Sequence, residues 1–212
     1  PDRFYGYFMV NPCSADAADR VRAALTEARL QGICLFPAMH RCSVQDDRVT
    51  PLLELAAAAP SAVVFVHCGV LTVGARKKLG LPSPFDMRFS NPIDLHAVAL
   101  RYPDVPIVVP HFGAGYFREA LMLADLCPNV YLDTSSSNQW MRYQSAHLDL
   151  RQVFGLLVFD IEAAAESLNH HLKTHICALV NSEPHRFGSS AAHVHEDRVF
   201  LHPGGQGPVS PA

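Results

Sequence analysis

Apolar residues fall along this chain in short unbroken blocks, each ending in a polar residue or a turn and then followed by a longer amphipathic stretch. Phe4 to Val10 is aromatic and apolar and is closed by Asn11-Pro12, which predicts a buried strand ending in a turn. Ser14 precedes a run in which Val21, Ala24, Leu25 and Ala28 share one helical face, and Gln31-Gly32 stops it. Ile33 to Phe36 predicts a second strand, broken by Pro37 and leading into a polar loop with His40, Arg41 and Asp46. Thr50-Pro51 has the form of an N-cap with proline at the first helical position, and the helix it opens lasts until Pro60.

The alternation continues. Val63 to His67 predicts a third strand, after which residues 70–91 show no apolar period and hold Gly74, Gly80, Pro82 and Pro84. A connection of that length inside a compact domain is more often a functional loop over a site than filler, so it reads as a lid. Asn91-Pro92 opens a helix through about Arg101, and Tyr102-Pro103-Asp104 turns the chain into a fourth strand, Ile107 to His111. Gly113-Ala114-Gly115 precedes a helix whose Phe117, Leu121 and Ala124 share a face, and Pro128-Asn129 turns into a fifth strand, Val130 to Asp133. Strand and helix patterns in strict alternation predict a parallel sheet or barrel of the α/β class.

Chemistry in such folds gathers beyond the carboxyl ends of the strands. Two apolar strands here deliver a histidine at that end and then turn on glycine: VVFVHCG, with His67, and PIVVPHFG, with His111. Asn11 and Asp133 reach the same rim, and His40 follows the second strand. For a single histidine the ordinary reading is a hydrogen-bonded core residue. Two at equivalent strand ends make a site the better reading. Asp133 opens the run DTSSS, which suits helix capping at least as well as substrate contact.

Beyond Arg151 the pattern changes. Residues 152–176 read as helical, the chain is loop-like from Asn181, and GGQGPVSPA closes it as a flexible tail. The expected division is therefore a barrel-like domain over 1–154 and a divergent segment over 155–212. That segment holds seven of the twelve histidines. His171 and His175 would share a helix face, and His193 and His195 alternate as on a strand, but no apolar strand leads into the latter pair. Adventitious metal affinity is the expectation there.

Composition narrows the class. A chain of 212 residues, 49% hydrophobic and 17% charged, suits one sizeable core. A formal charge of −3, with scattered lysines and arginines, offers no basic field for nucleic acid. No apolar run reaches the roughly 18 residues that cross a bilayer, and the amino end lacks a signal-peptide pattern. The six cysteines have neither zinc-ribbon pairing nor the density of a secreted disulfide scaffold, and read as reduced, largely buried thiols of a cytoplasmic protein. Pro1 stands where an initiator methionine would, so the chain reads as a fragment.

Taken together, Asp2-Arg3-Phe4 with Asn11-Pro12, the Gly32 to Pro37 strand, VFVHCG at 64–69, SNP at 90–92, RYPDVPIVVPHFG at 101–113 and NVYLDTSSS at 129–137 resemble the amidohydrolase-related family. That family includes aminocarboxymuconate-semialdehyde decarboxylase, resorcylate-type decarboxylases and lactone hydrolases. The resemblance covers residue 1 to about 154. It implies a TIM-type (β/α) barrel, incomplete here, and a metal-dependent hydrolase or non-oxidative decarboxylase acting on a small carboxylated compound. It assigns the divalent metal, zinc or alternatively manganese, to His67 and the acid/base role to His111. Asp133 and His40 are then the expected substrate contacts.

The departures are specific. The family's His-x-His strand would precede Pro1, and the late strand ending in a ligand aspartate is replaced by GLLVFDIEAAAES, in which Asp160 does not fit the motif. Cys34 stands where many relatives carry lysine. One expected protein ligand remains, whereas a catalytic zinc site ordinarily uses three. The competing expectation is a non-catalytic barrel remnant serving as a scaffold. Its open edges would favour homo-oligomers or a partner.

Overall fold

The computed structural model describes residues 6–133, 135, 138–149, 151–153, 156, 177–179 and 198–200. Five short strands, β1 (Tyr7–Met9), β2 (Gly32–Leu35), β3 (Val63–Val66), β4 (Ile107–Val109) and β5 (Val130–Leu132), form one parallel sheet in sequential order. The connections carry α1 (Ala17–Thr26), α2 (Pro37–His40), α3 (Thr50–Ala58), α4 (Gly74–Lys78), α5 (His96–Arg101) and α6 (Phe117–Leu126). Sequential order in an all-parallel sheet is the start of a barrel, and the expected βα alternation is present.

The register explains which face of the sheet holds the core. Ile33, Val64, Ile107 and Val130 align across the strands, as do Leu35 and Val66 on one pair and Val109 and Leu132 on another. All eight are buried. Because side chains alternate along a strand, the row between them, Met9, Cys34, Phe65, Val108 and Tyr131, points to the opposite face. That face is less covered: Met9 is 53% exposed and Phe65, Val108 and Tyr131 are half-buried. The helices thus cover one side of the sheet, and the side that faces inward in a closed barrel is left partly open.

Several sequence expectations shift in detail. Thr50 does not cap α3: the N-cap position is Val49, without a side-chain hydrogen bond, and proline lies in the first turn as expected. Nor does Ser14 cap α1, whose N-cap is Asp16, although the Ser14 carbonyl accepts from the Ala17 N–H. Ala28 lies past the end of α1 and is exposed, leaving Val21 and Ala24 buried on that helix. On α6 the buried positions are Phe117, Ala120 and Leu123, with Leu121 and Ala124 packed at the margin. The loop assigned to His40 begins as a helical turn, because Pro37 presets the first helical position rather than ending regular structure.

Residues 70–91 hold α4, which buries none of its residues, and a 3₁₀ turn at Met87–Phe89. The missing apolar period is the signature of that exposure. Asn91 does open the next helical segment, its Oδ1 accepting from the Ile93 N–H at 3.0 Å. Beyond residue 156, β6 (Cys177–Leu179) and β7 (Arg198–Phe200) pair antiparallel. The second lies where only loop was expected; RVF is β-branched and aromatic, and so suited to a strand. The two histidine groupings between 170 and 195 and the tail after 200 lie outside the described residues.

Candidate active site

The two histidines meet. His67 directly follows β3, keeps the parity of Val63 and Phe65, and is 6% exposed. Its ring stacks on Phe36, the residue after β2, with centroids 5.4 Å apart, and meets His111 edge to face at 5.4 Å. Among the described groups, His67 Nδ1 is buried without a hydrogen-bond partner. Burial, helped by the charge of His111, pushes its pKa down to about 3, so the ring stays neutral and keeps a lone pair.

His111 reaches this position by a route the apolar pattern did not show. Strand β4 ends at Val109, two residues before the expected His111. Phe65 lies opposite Val108, so an unbroken strand would place Pro110 beside His67 and turn His111 to the helix-covered face with Cys68. Pro110 instead opens a turn in which His111, Phe112, Gly113 and Ala114 all have positive φ, at 56°, 49°, 76° and 43°. Left-handed backbone at three non-glycine residues is costly and persists only where the surroundings over-determine it.

Those surroundings are specific. Phe112 is fully buried against Phe117 and Trp140, with centroids at 5.8 and 5.9 Å. Its N–H donates to the Asp133 carbonyl at 3.0 Å, and the Ala114 carbonyl accepts from the Val70 N–H at 2.9 Å. Gly69, with φ +75°, lies so close that an added Cβ would stand 2.1 Å from the Gly113 oxygen. The loops after β3 and β4 are therefore locked backbone to backbone, and the histidines with them.

Asp133 follows β5 and is 3% exposed. Its carboxylate accepts from the Ser135 N–H and, at 2.8 Å, from the Ser135 hydroxyl. Burial raises its pKa, against the lowering effect of those bonds and of His111. Ser135 in turn contacts His111 Nδ1 through its carbonyl and through Oγ, the latter at 3.2 Å. Asp133 is thus engaged by its own turn. Ser135 and Phe36 were not singled out from the sequence; a serine in the DTSSS run and the aromatic ending the second strand were the available signals.

His40 stands apart from the pair. Half-buried at the end of α2, it lines a small crevice with Pro12, Leu35, Phe36, Cys42 and Val44, and Phe36 is common to both environments. Its Nδ1 is buried without a partner, and burial lowers its pKa. Cys68 is fully enclosed, its thiol pushed well above the usual range by burial, which removes it from reactive chemistry.

The donor set can be tested against a divalent ion. His67 fits a ligand: neutral, buried and unpartnered. Among the described residues, however, no group of three histidine, cysteine or carboxylate side chains is placed to hold a metal. They fit one ligand position and not a complete site.

Strand order, helix alternation and polar groups at the carboxyl rim define a partial TIM-type (β/α) barrel. The chain belongs to the amidohydrolase family: the Amidohydro_2 family matches residues 1–174, running past Phe154, where the sequence pattern fades. Members of this family usually bind a divalent metal. A solved structure, an uncharacterized TIM-barrel protein, Bb4693, from Bordetella bronchiseptica, is similar with a TM-score of 0.51 and 22% identity. The similarity covers 64% of this chain and 44% of that one, and shows the fold. The chain thus spans less than half of that barrel protein. Comparison with curated proteins gave no match. Among the described residues, no helix is long and apolar enough to cross a membrane.

Proposed function

We propose that this chain carries the acid/base part of a metal-dependent hydrolase or non-oxidative decarboxylase acting on a small carboxylated compound. The observation that supports it most is the meeting of His67 and His111 at neighbouring strand ends, one ring neutral with a free nitrogen, the other held by Ser135. In this reading His67 is a ligand for zinc or manganese, and the other ligands come from outside the described residues. A bound ion of this kind polarises a carboxylate or carbonyl and activates water. His111 takes up or returns a proton on the substrate beside it, a role imidazole fills near neutral pH. In the same reading His40, whose crevice shares Phe36 with His67, is a substrate contact.

A second reading is favoured by the incomplete donor set and the partly open sheet face: a non-catalytic barrel segment that associates with a partner or a second copy. Metal titration of the full chain, prepared with chelator and then dialysed, separates the two. Stoichiometric zinc or manganese binding, lost in His67→Ala with retained secondary structure, supports the catalytic reading. Release of carbon dioxide or hydrolysis across a panel of small aromatic carboxylates and lactones then tests the activity. No binding at micromolar metal sinks it.

A further inference from the structure

From the hydrogen bonds around Ser135 we infer that Asp133 and Ser135 are positioning residues that fix the tautomer of His111, leaving Nδ1 protonated and Nε2 with the lone pair. The inference rests on His111 being the acid/base group. It adds which nitrogen works and what sets it.

The Ser135 carbonyl can only accept, so its contact with His111 Nδ1 requires a proton on that nitrogen. The Ser135 hydroxyl lies 2.8 Å from Asp133 Oδ2 and 3.2 Å from the same Nδ1. A hydroxyl that donates its one hydrogen to a carboxylate has only lone pairs left for the ring, and so accepts from Nδ1 as well. The second carboxylate oxygen accepts from the Ser135 N–H. Both contacts at Nδ1 therefore agree, and the acceptor role of the hydroxyl traces back to one buried carboxylate. Neutral His111 is thereby presented as a proton acceptor through Nε2, and it becomes a donor only after it has taken a proton. Asp133 acts here through Ser135 and not as a substrate contact.

The test is nitrogen-15 NMR of the histidine-labelled full chain, with chelator present and at about pH 8.5, where free imidazole is neutral. His111 is assigned by the signals that vanish in His111→Gln. The wild-type ring is expected in the Nδ1–H form over the Nε2–H form by about tenfold, the scale of one well-made hydrogen bond in a buried site. In Asp133→Asn the side-chain amide can donate to the Ser135 hydroxyl, freeing its hydrogen for the ring, and the Nε2–H population is expected to rise severalfold. Should that variant fail to fold, Ser135→Ala removes the hydroxyl while keeping the carbonyl, and a smaller rise of the same sign is expected. A wild-type ring in the Nε2–H form, or a population unmoved by the variant that folds, overturns the inference. None of these signals depends on turnover, so an inactive chain with the expected tautomer would count against the proposed function alone.

Discussion

Replacing Gly69 with alanine tests whether the two histidine-bearing loops are held together by direct backbone contact. The new Cβ would lie 2.1 Å from the Gly113 oxygen and 2.5 Å from that of Ala114, against a practical minimum of 3.0 Å. One loop must therefore move by about 1 Å merely to reach that minimum, still short of the roughly 3.5–4.0 Å at which such atoms attract. Overpacking of this kind costs about 1–3 kcal/mol, and a Cβ in the left-handed region adds about 1–2 kcal/mol, together about 2–5 kcal/mol. That is a large share of the roughly 5–15 kcal/mol that holds a domain folded. Gly80, with φ +68° and nothing within 4 Å of an added Cβ, isolates the backbone part: Gly80→Ala should lose only about 1–2 kcal/mol. Gly74 also faces open space but lacks the positive φ, so Gly74→Ala should lose nothing. Urea unfolding of the three variants gives the comparison. A Gly69→Ala protein no less stable than Gly80→Ala would refute direct backbone contact between the two loops.

Other consequences can be measured in the same way. Folded His67 has its pKa pushed down to about 3, against about 6.5 unfolded, so the unfolded chain binds the extra proton between those values; stability is whole above pH 6.5 and falls with acidification. Between pH 7 and 5 that difference amounts to about 2 kcal/mol, measured by urea unfolding with chelator present, and His67→Phe should remove it; equal pH slopes in both proteins refute the assignment. Gly32→Ala should be among the most damaging single changes, because its Cβ would stand 2.0 Å from the Val63 oxygen where β2 and β3 begin to pair; a loss under about 1 kcal/mol by urea titration would contradict this. Asn129, with Nδ2 within 3.2 Å of the Ala99, Tyr102 and Val105 carbonyls, ties α5 to the turn before β4, and Asn129→Ala should lower stability by about 1–3 kcal/mol in the same assay.

Strand positions were legible in the chain because their apolar blocks are bounded by proline, glycine and asparagine, and all five strands of the parallel sheet overlap the expected blocks. Legibility failed where local chemistry allows two outcomes. Pro37 reads as a strand breaker and Pro110 as a residue inside the fourth strand, yet each starts a helical or 3₁₀ turn, which places His40 on a helix and takes His111 out of the strand. Period-2 reasoning puts His67 on the inner face correctly and would put His111 on the wrong one. What brings the rings together is four positive φ angles, and neither phenylalanine nor alanine announces such a conformation. The engagement of Asp133 by Ser135 was open in the sequence, since capping and substrate contact use the same residue types.

The left-handed turn also shows how the site depends on the core. Three non-glycine residues at positive φ cost on the order of 1–2 kcal/mol each, and the compensation nearest to hand is Phe112, whose full burial contributes about 1.5–3 kcal/mol. Ordinary Phe→Ala truncation in a core loses about 3–5 kcal/mol. At Phe112 the same change removes the anchor that keeps the backbone left-handed, so part of the strain is released as the ring is lost. The expected drop in urea stability is therefore smaller, about 2–3 kcal/mol, and it should come with loss of the Ser135 contact at His111 Nδ1, visible as a mixed tautomer signal. Leu52→Ala, also fully buried but on α3, which packs against α1, supplies the reference and should lose the ordinary 2–5 kcal/mol with the His111 signal unchanged. If Phe112→Ala loses the full truncation cost and His111 keeps its tautomer, the turn is held by its backbone contacts with Gly69 and Asp133, and the aromatic cluster has no part in aiming the histidine.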